Sequence, residues 1–170
     1  MTLVGLDLGH ATTAEAEHWL AHLPPVPGLV ACTHLVPGMR PRVVITLAAT
    51  GPVDTSMLSA GPDDAGEAAL AAAADHAAGR AGRAVIYPGV EALTGVLTIA
   101  DLLTNSAIER IRIIGGAAAE MPSDTDVETR DFVRPQWMNG HLTLVATPAP
   151  GGRIAPFEIP NPTPCCAAHP

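Results

Sequence analysis

The stretch DDAGEAALAAAADHAAGRAGRAVIYPG, residues 63–89, decides the fold. Its first part predicts a helix over 63–82. Alanine has the highest intrinsic helix propensity. Asp63, Asp64 and Glu67 suit the positive end of the helix dipole, and Arg80 suits the negative end. Gly82 can supply a left-handed stop. So many alanines leave little side-chain volume, so the helix must lie close against something flat, and a sheet is the expected partner. RAVIYPG (83–89) follows as a buried strand. A helix running directly into a strand is the pattern of an α/β layered domain.

Upstream, GLVACTHLV (28–36) and RVVITLAA (42–49) are β-rich runs separated by the turn signal PGMRP. TTAEAEHWLAHL (12–23) reads as a helix. Thr12 caps it, Glu15 stands three residues on, and Ala16, Trp19, Leu20 and Leu23 share one face. Pro24-Pro25 ends it. LVGLDL (3–8) reads as a short buried strand, and 50–62 as a loop. Downstream, LTIADLLTNSA (97–107) reads as a helix and IERIRIIGG (108–116) as a strand with a polar face. VETRDFV (127–133) and HLTLVATP (141–148) are strand-like, and Asn139-Gly140 between them is a strong hairpin turn signal. IAPFEIP reads as a short edge piece, where prolines fit. The expected fold is thus α/β: a mixed sheet flanked by helices over residues 1–159, extended by a C-terminal β-hairpin at about 127–148. A Pro/Cys-rich tail follows at 160–170.

Composition narrows the function classes. Apolar residues make up 48% and charged residues 15%, enough for a core and too apolar for a disordered chain. No uninterrupted apolar run reaches the length of a membrane span, so no membrane partner is expected. MTLVGLDLGH lacks a basic start and meets Asp7 early, so a secretory signal is not expected and the cytoplasm is the expected compartment. The formal charge is −8, with nine arginines and no lysine. That balance, with few aromatics, argues against a nucleic-acid partner. The missing lysine excludes a Schiff-base lysine and a complete Walker A loop. The chain has three cysteines, which with no export signal argues against a disulfide framework.

Three constellations carry candidate chemistry. Cys32 and His34 alternate on one strand and share a face. With Cys165, Cys166 and His169 they would offer a sulfur and nitrogen shell suited to zinc or iron. His18 and His22 lie four apart on a helix face and would bind metal only with a third ligand. VGLDLGHATT places Asp7, Gly9, Thr12 and Thr13 at a strand-to-helix junction. It resembles the first phosphate loop of the actin, sugar-kinase and heat-shock ATPase superfamily, which implies phosphate or nucleotide binding there. The carboxylates Asp124, Asp126 and Glu128 would share a strand face, where a solvated acidic edge is the simpler reading.

AEHWLAHLPPVPGLVACTHLV, the strand RVVITLAA, the alanine-rich helix, RAVIYPG and the terminal Cys-Cys pair follow a similar order to an uncharacterised family from high-GC Gram-positive bacteria. That resemblance implies this order of elements and no particular activity. No nucleophile, base and orienting group fall in a recognisable pattern. The first expectation is therefore a non-catalytic interaction or accessory protein acting as a homo-oligomer. A metal- or thiol-dependent protein centred on Cys165, Cys166 and His169 is the alternative, and phosphate binding at Asp7-Leu8-Gly9 is a second one.

Overall fold

The computed structural model describes residues 2–51, 65–115 and 121–160. In chain order the elements are β1 (Thr2–His10), α1 (Thr13–Leu20), β2 (Val30–Val36), β3 (Arg42–Ala49), α2 (Ala65–Ala77), β4 (Arg83–Ile86), β5 (Val96–Thr98), α3 (Ile99–Asn105), β6 (Arg110–Ile113), β7 (Asp126–Glu128), β8 (Gln136–Met138), β9 (His141–Ala149) and β10 (Arg153–Pro156). Ten strands form one mixed sheet in the order β1-β3-β2-β4-β8-β9-β10-β7-β5, with β6 paired to β9. Most neighbours are antiparallel; β6–β9 and β10–β7 are parallel.

β3 explains the layering. All but its first residue are buried, the mark of a strand covered on both faces. Val43, Ile45 and Leu47 join Ala16 and Leu20 of α1 on one face. Val44 joins Ala69 and Ala72 of α2 on the other. A second core, with Leu102 of α3 beside Ile108, Leu142, Leu144 and Ile154, fills the far half of the sheet.

α2 lies against β1 and β3. Its buried stripe is Ala69, Ala72 and His76, a spacing of three and four that keeps one face on the sheet. The approach is close because neither surface carries bulk. A Cβ added at Gly5 of β1 would run into the backbone carbonyl of Ala69.

The helix also stops earlier than 82. Arg80 N donates to Asp75 O at 2.9 Å and Gly79 N to His76 O at 3.0 Å, the paired bonds of a Schellman stop. Gly79, at φ 60°, is the left-handed residue, and Gly82 lies beyond it. Sequence reasoning chose the wrong glycine because both suit the role and only tertiary contact separates them. A Cβ on Gly79 would meet Gly140 Cα at 2.6 Å, so the helix end is seated on the β8–β9 turn.

The C-terminal half departs from expectation in its pairing. Residues 127–133 do not form the first arm of a hairpin. Asp126–Glu128 pairs with β5 and β10, and Arg130 and Asp131 turn the chain with φ of 55° and 51°. The Asn139-Gly140 turn joins the three residues of β8 to β9. Both turn residues have positive φ, 52° and 82°, as that turn type requires. Most of the expected 50–62 loop and the tail beyond Pro160 lie outside the described residues.

Replacing Gly5 by alanine is expected to push α2 off the sheet and cost about 2 kcal/mol or more, the usual scale for overpacking a tight interface. Urea unfolding followed by circular dichroism checks this. Stability equal to that of the unmodified chain would contradict the packing.

Candidate functional site

Cys32 and His34 of β2 and Thr46 of β3 lie on the sheet face that α2 covers, and His76 comes down from α2. The register puts Cys32 opposite Thr46 and His34 opposite Val44. Thr46 Oγ1 sits between the two imidazoles, 2.9 Å from His34 Nε2 and 2.7 Å from His76 Nδ1. The rings are 6.4 Å apart, and Trp137 of β8 stacks at a tilt 5.8 Å from His76. Gly82 closes the cluster, since a Cβ there would meet His34 Cε1 at 3.0 Å and Cys32 Cβ at 3.2 Å. Cys32 and Thr46 are wholly buried, and both histidines nearly so.

Burial controls the chemistry of these groups. It pushes the Cys32 thiol up to about 12, although Trp137 and Thr46 beside it pull the other way. The Trp137 indole N–H, itself buried, finds no hydrogen-bond partner of acceptable geometry and lies close enough to the thiol only to moderate that shift. Burial first, and the neighbouring His76 second, lower His34 to about 4 against the opposing pull of Asp75. Burial lowers His76 as well. Near neutral pH the cluster is therefore a thiol, a hydroxyl and two neutral imidazoles.

Two clefts flank the cluster. One, of about 630 Å³, is lined by His34, Leu35, Ala72, Asp75, Arg83 and Trp137 among others. The other, of about 460 Å³, is lined by Leu3, Ala48, His76, Gly79, Trp137 and Gly140 among others. A third, of about 730 Å³, shares Thr13, Arg83 and Gln136 with the first. Its charged wall is saturated internally. Glu17 of α1 receives Arg83 at 2.7 Å and Arg134 at 2.7 Å, and Arg83 also grips Glu158 with two carboxylate oxygens engaged. Arg134 lies over the Phe132 ring, 4.2 Å from its centre. Burial raises Glu17, but the hydrogen bonds and charges of Arg134 and Arg83 outweigh it and hold the carboxyl below its usual range.

The structure distributes the residues singled out in the sequence as follows. Cys32 and His34 do share a face. Burial pushes the Cys32 thiol up to about 12, and His34 Nε2 lies 2.9 Å from Thr46 Oγ1. Among the described residues no group of three His, Cys, Asp or Glu side chains is placed to hold an ion. Cys165, Cys166 and His169 lie outside the described residues. Asp7 is buried, takes Arg42 in an ion pair and accepts from Gly9 N at 3.2 Å. Gly9, at φ 76°, lies where the β1–β3 register shifts. Thr12 caps α1 by accepting from Glu15 N at 3.2 Å, and Thr13 opens the helix and lines two of the clefts. His18 of α1 and His22 in the turn after it stack edge to face beside His10 and Trp19. Thr46, His76 and Trp137 were missed in the sequence. A threonine inside the otherwise apolar run 43–49 was the available signal for the first. His76 carried no comparable signal, being a single polar residue beside Asp75 in the alanine-rich helix.

No family model, curated protein or solved structure matches the chain. No described helix is long and apolar enough to cross a membrane.

Two outcomes are expected from this chemistry. In a chain carrying Cys165→Ser and Cys166→Ser, leaving Cys32 as the sole thiol, iodoacetamide at pH 8 should label Cys32 only after unfolding. Rapid labelling of the folded chain would contradict its raised pKa. The second concerns acid. Between about 4 and 6.5 the unfolded chain holds a proton on His34 that the folded chain refuses. Stability is therefore full above about 6.5 and declines as pH falls through 4, by about 3 kcal/mol for this residue. Urea midpoints across that range measure the loss, and His34→Gln should remove its share while leaving that of His76 and, toward the acid end, those of Glu17 and Glu109.

Proposed function

We propose that the chain is a non-catalytic interaction protein that works as a homo-oligomer. The observation that carries this reading is the disarmed state of the polar groups buried under α2 and of the arginine–glutamate network beside them. Catalysis near neutral pH needs a nucleophile or base poised close to that pH. Burial instead moves Cys32 to about 12 and His34 to about 4, away from it on both sides. Arg83, Arg134, Glu17 and Glu158 spend their charge on one another.

Assembly is supported by β1. It stands at one end of the strand order and, among the described residues, pairs only with β3. It is nine residues long and carries no lysine, arginine or proline, the residues that most often blunt an edge. Its one charged side chain, Asp7, is buried and paired with Arg42, and its register shift lies at the His10 end. Edge-to-edge pairing of β1 with its copy would satisfy the open backbone groups and extend the sheet through a twofold axis. Leu35, Leu70 and Phe157 add exposed apolar surface elsewhere.

Sedimentation velocity of the purified full chain should show a dimer or larger species that dissociates on dilution. Amide exchange in β1 should slow as concentration rises. A monomer at every concentration would overturn the oligomeric reading.

A further inference from the structure

The chain of atoms from His34 through Thr46 to His76 has a property that neither ring has alone. A neutral imidazole carries one N–H and one lone pair, and a hydroxyl has one hydrogen to give and two lone pairs to accept with. Thr46 Oγ1 lies within hydrogen-bond distance of one nitrogen from each ring. If it accepted from both rings, its hydrogen would be left to the Cys32 sulfur, a weak acceptor close by; with that hydrogen shared between the rings instead, two arrangements satisfy both contacts. In the first, Thr46 donates to His34 Nε2 and accepts from His76 Nδ1–H. His34 then carries its proton on Nδ1, and His76 Nε2 is a bare acceptor. In the second, Thr46 accepts from His34 Nε2–H and donates to His76 Nδ1. His34 Nδ1 is then the bare acceptor, and His76 carries its proton on Nε2. Both rings are Nδ1–H in the first state and both are Nε2–H in the second.

The two outer nitrogens, His34 Nδ1 and His76 Nε2, have no protein partner among the described residues. The buried polar side-chain atoms left unpaired there are His10 Nε2 and Trp137 Nε1, so solvent reaches the outer nitrogens of both rings. His34 lines one cleft and His76 the other. The other titratable or charged groups around the rings are Cys32 from β2, Asp75 from α2, and Arg80 and Arg83, which line the cleft with His34. None of them bonds to either imidazole: Arg80 is held by Asp75, and Arg83 by Glu17 and Glu158.

We infer that His34, Thr46 and His76 form a two-state hydrogen-bond relay that makes the two clefts present opposite polarity, a donor at one imidazole and an acceptor at the other. A carbonyl or other uncharged acceptor bound at one ring therefore selects a hydroxyl, an amide N–H or another donor at the other. The coupling acts in both directions, as linkage requires. Passage from the first state to the second balances in protons. One leaves His34 Nδ1 into its cleft, the Thr46 hydrogen moves to His34 Nε2, the His76 Nδ1 hydrogen moves to Thr46, and one enters at His76 Nε2 from the other cleft.

The test is nitrogen NMR of the full chain labelled with ¹⁵N-histidine, which distinguishes a protonated from a bare ring nitrogen. At pH 7.5 His34 and His76 should show the same tautomer, or the same mixture of two. On acidification the ring that stays neutral must accept from Thr46. That means Nδ1–H on His34 if His76 charges first, and Nε2–H on His76 if His34 does. In Thr46→Val the separation between the two protonation steps should narrow, because the hydroxyl no longer penalises the second proton. Unlike tautomers in the unmodified chain, a neutral ring of the wrong tautomer, or an unchanged separation in Thr46→Val would each overturn the relay.

Discussion

The close approach of an alanine-rich helix to a sheet governs the rest of this molecule. Gly5 removes the Cβ that would strike the Ala69 carbonyl, and Ala69 and Ala72 add almost no thickness. The gap this leaves is too thin for bulky side chains over much of its area. Where it opens toward the end of α2, it holds Cys32, His34, Thr46 and His76. The same closeness that gives α2 its seat also desolvates these groups. Packing and chemistry therefore have one cause, and Gly79 seats the end of α2, just past His76, on the β8–β9 turn.

Burial has two different results in this protein, and the difference is the number of partners. Inside the α2 layer, desolvation acts on groups with no charged hydrogen-bond partner, and the Asp75 charge near His34 does not offset it, so the neutral form is favoured. The thiol rises and the imidazoles fall. On the opposite face of β4 the half-buried Glu17 meets two guanidiniums, and attraction outweighs desolvation. That network joins residues 117 positions apart in the chain and ties α1 to the segment before β8. The β4 residue Arg83 carries both the α1 link and the Glu158 link, so one side chain braces both ends of the sequence.

Much of the layered order was readable. The 42–49 strand is found at those residues, and the 28–36 run forms its partner over Val30–Val36. Thr12 caps α1 as its spacing suggested. The alanine-rich segment is a helix lying on the sheet. Strand pairing in the second half was not readable. β5 and β8 have three residues each, too short for a periodic signal. Residues 127–133 looked like a strand because their composition is β-rich, yet Arg130 and Asp131 adopt positive φ and turn the chain. Of the site, the shared face of Cys32 and His34 was legible from alternation alone. Its other members were not, because Thr46, His76 and Trp137 come from separate elements.

By itself, the sequence determined the local choices: which segments favour helix or strand, the Thr12 cap and the Asn139-Gly140 turn, and that one helix lacks the bulk to stand away from its partner. These follow from propensity, periodicity and side-chain size, which act over a few residues. Only the tertiary structure decided which glycine ends α2, which strands pair beyond residue 90, and that one threonine hydroxyl stands between two imidazoles. Those depend on distances between residues tens of positions apart, and on the loss of water where they meet.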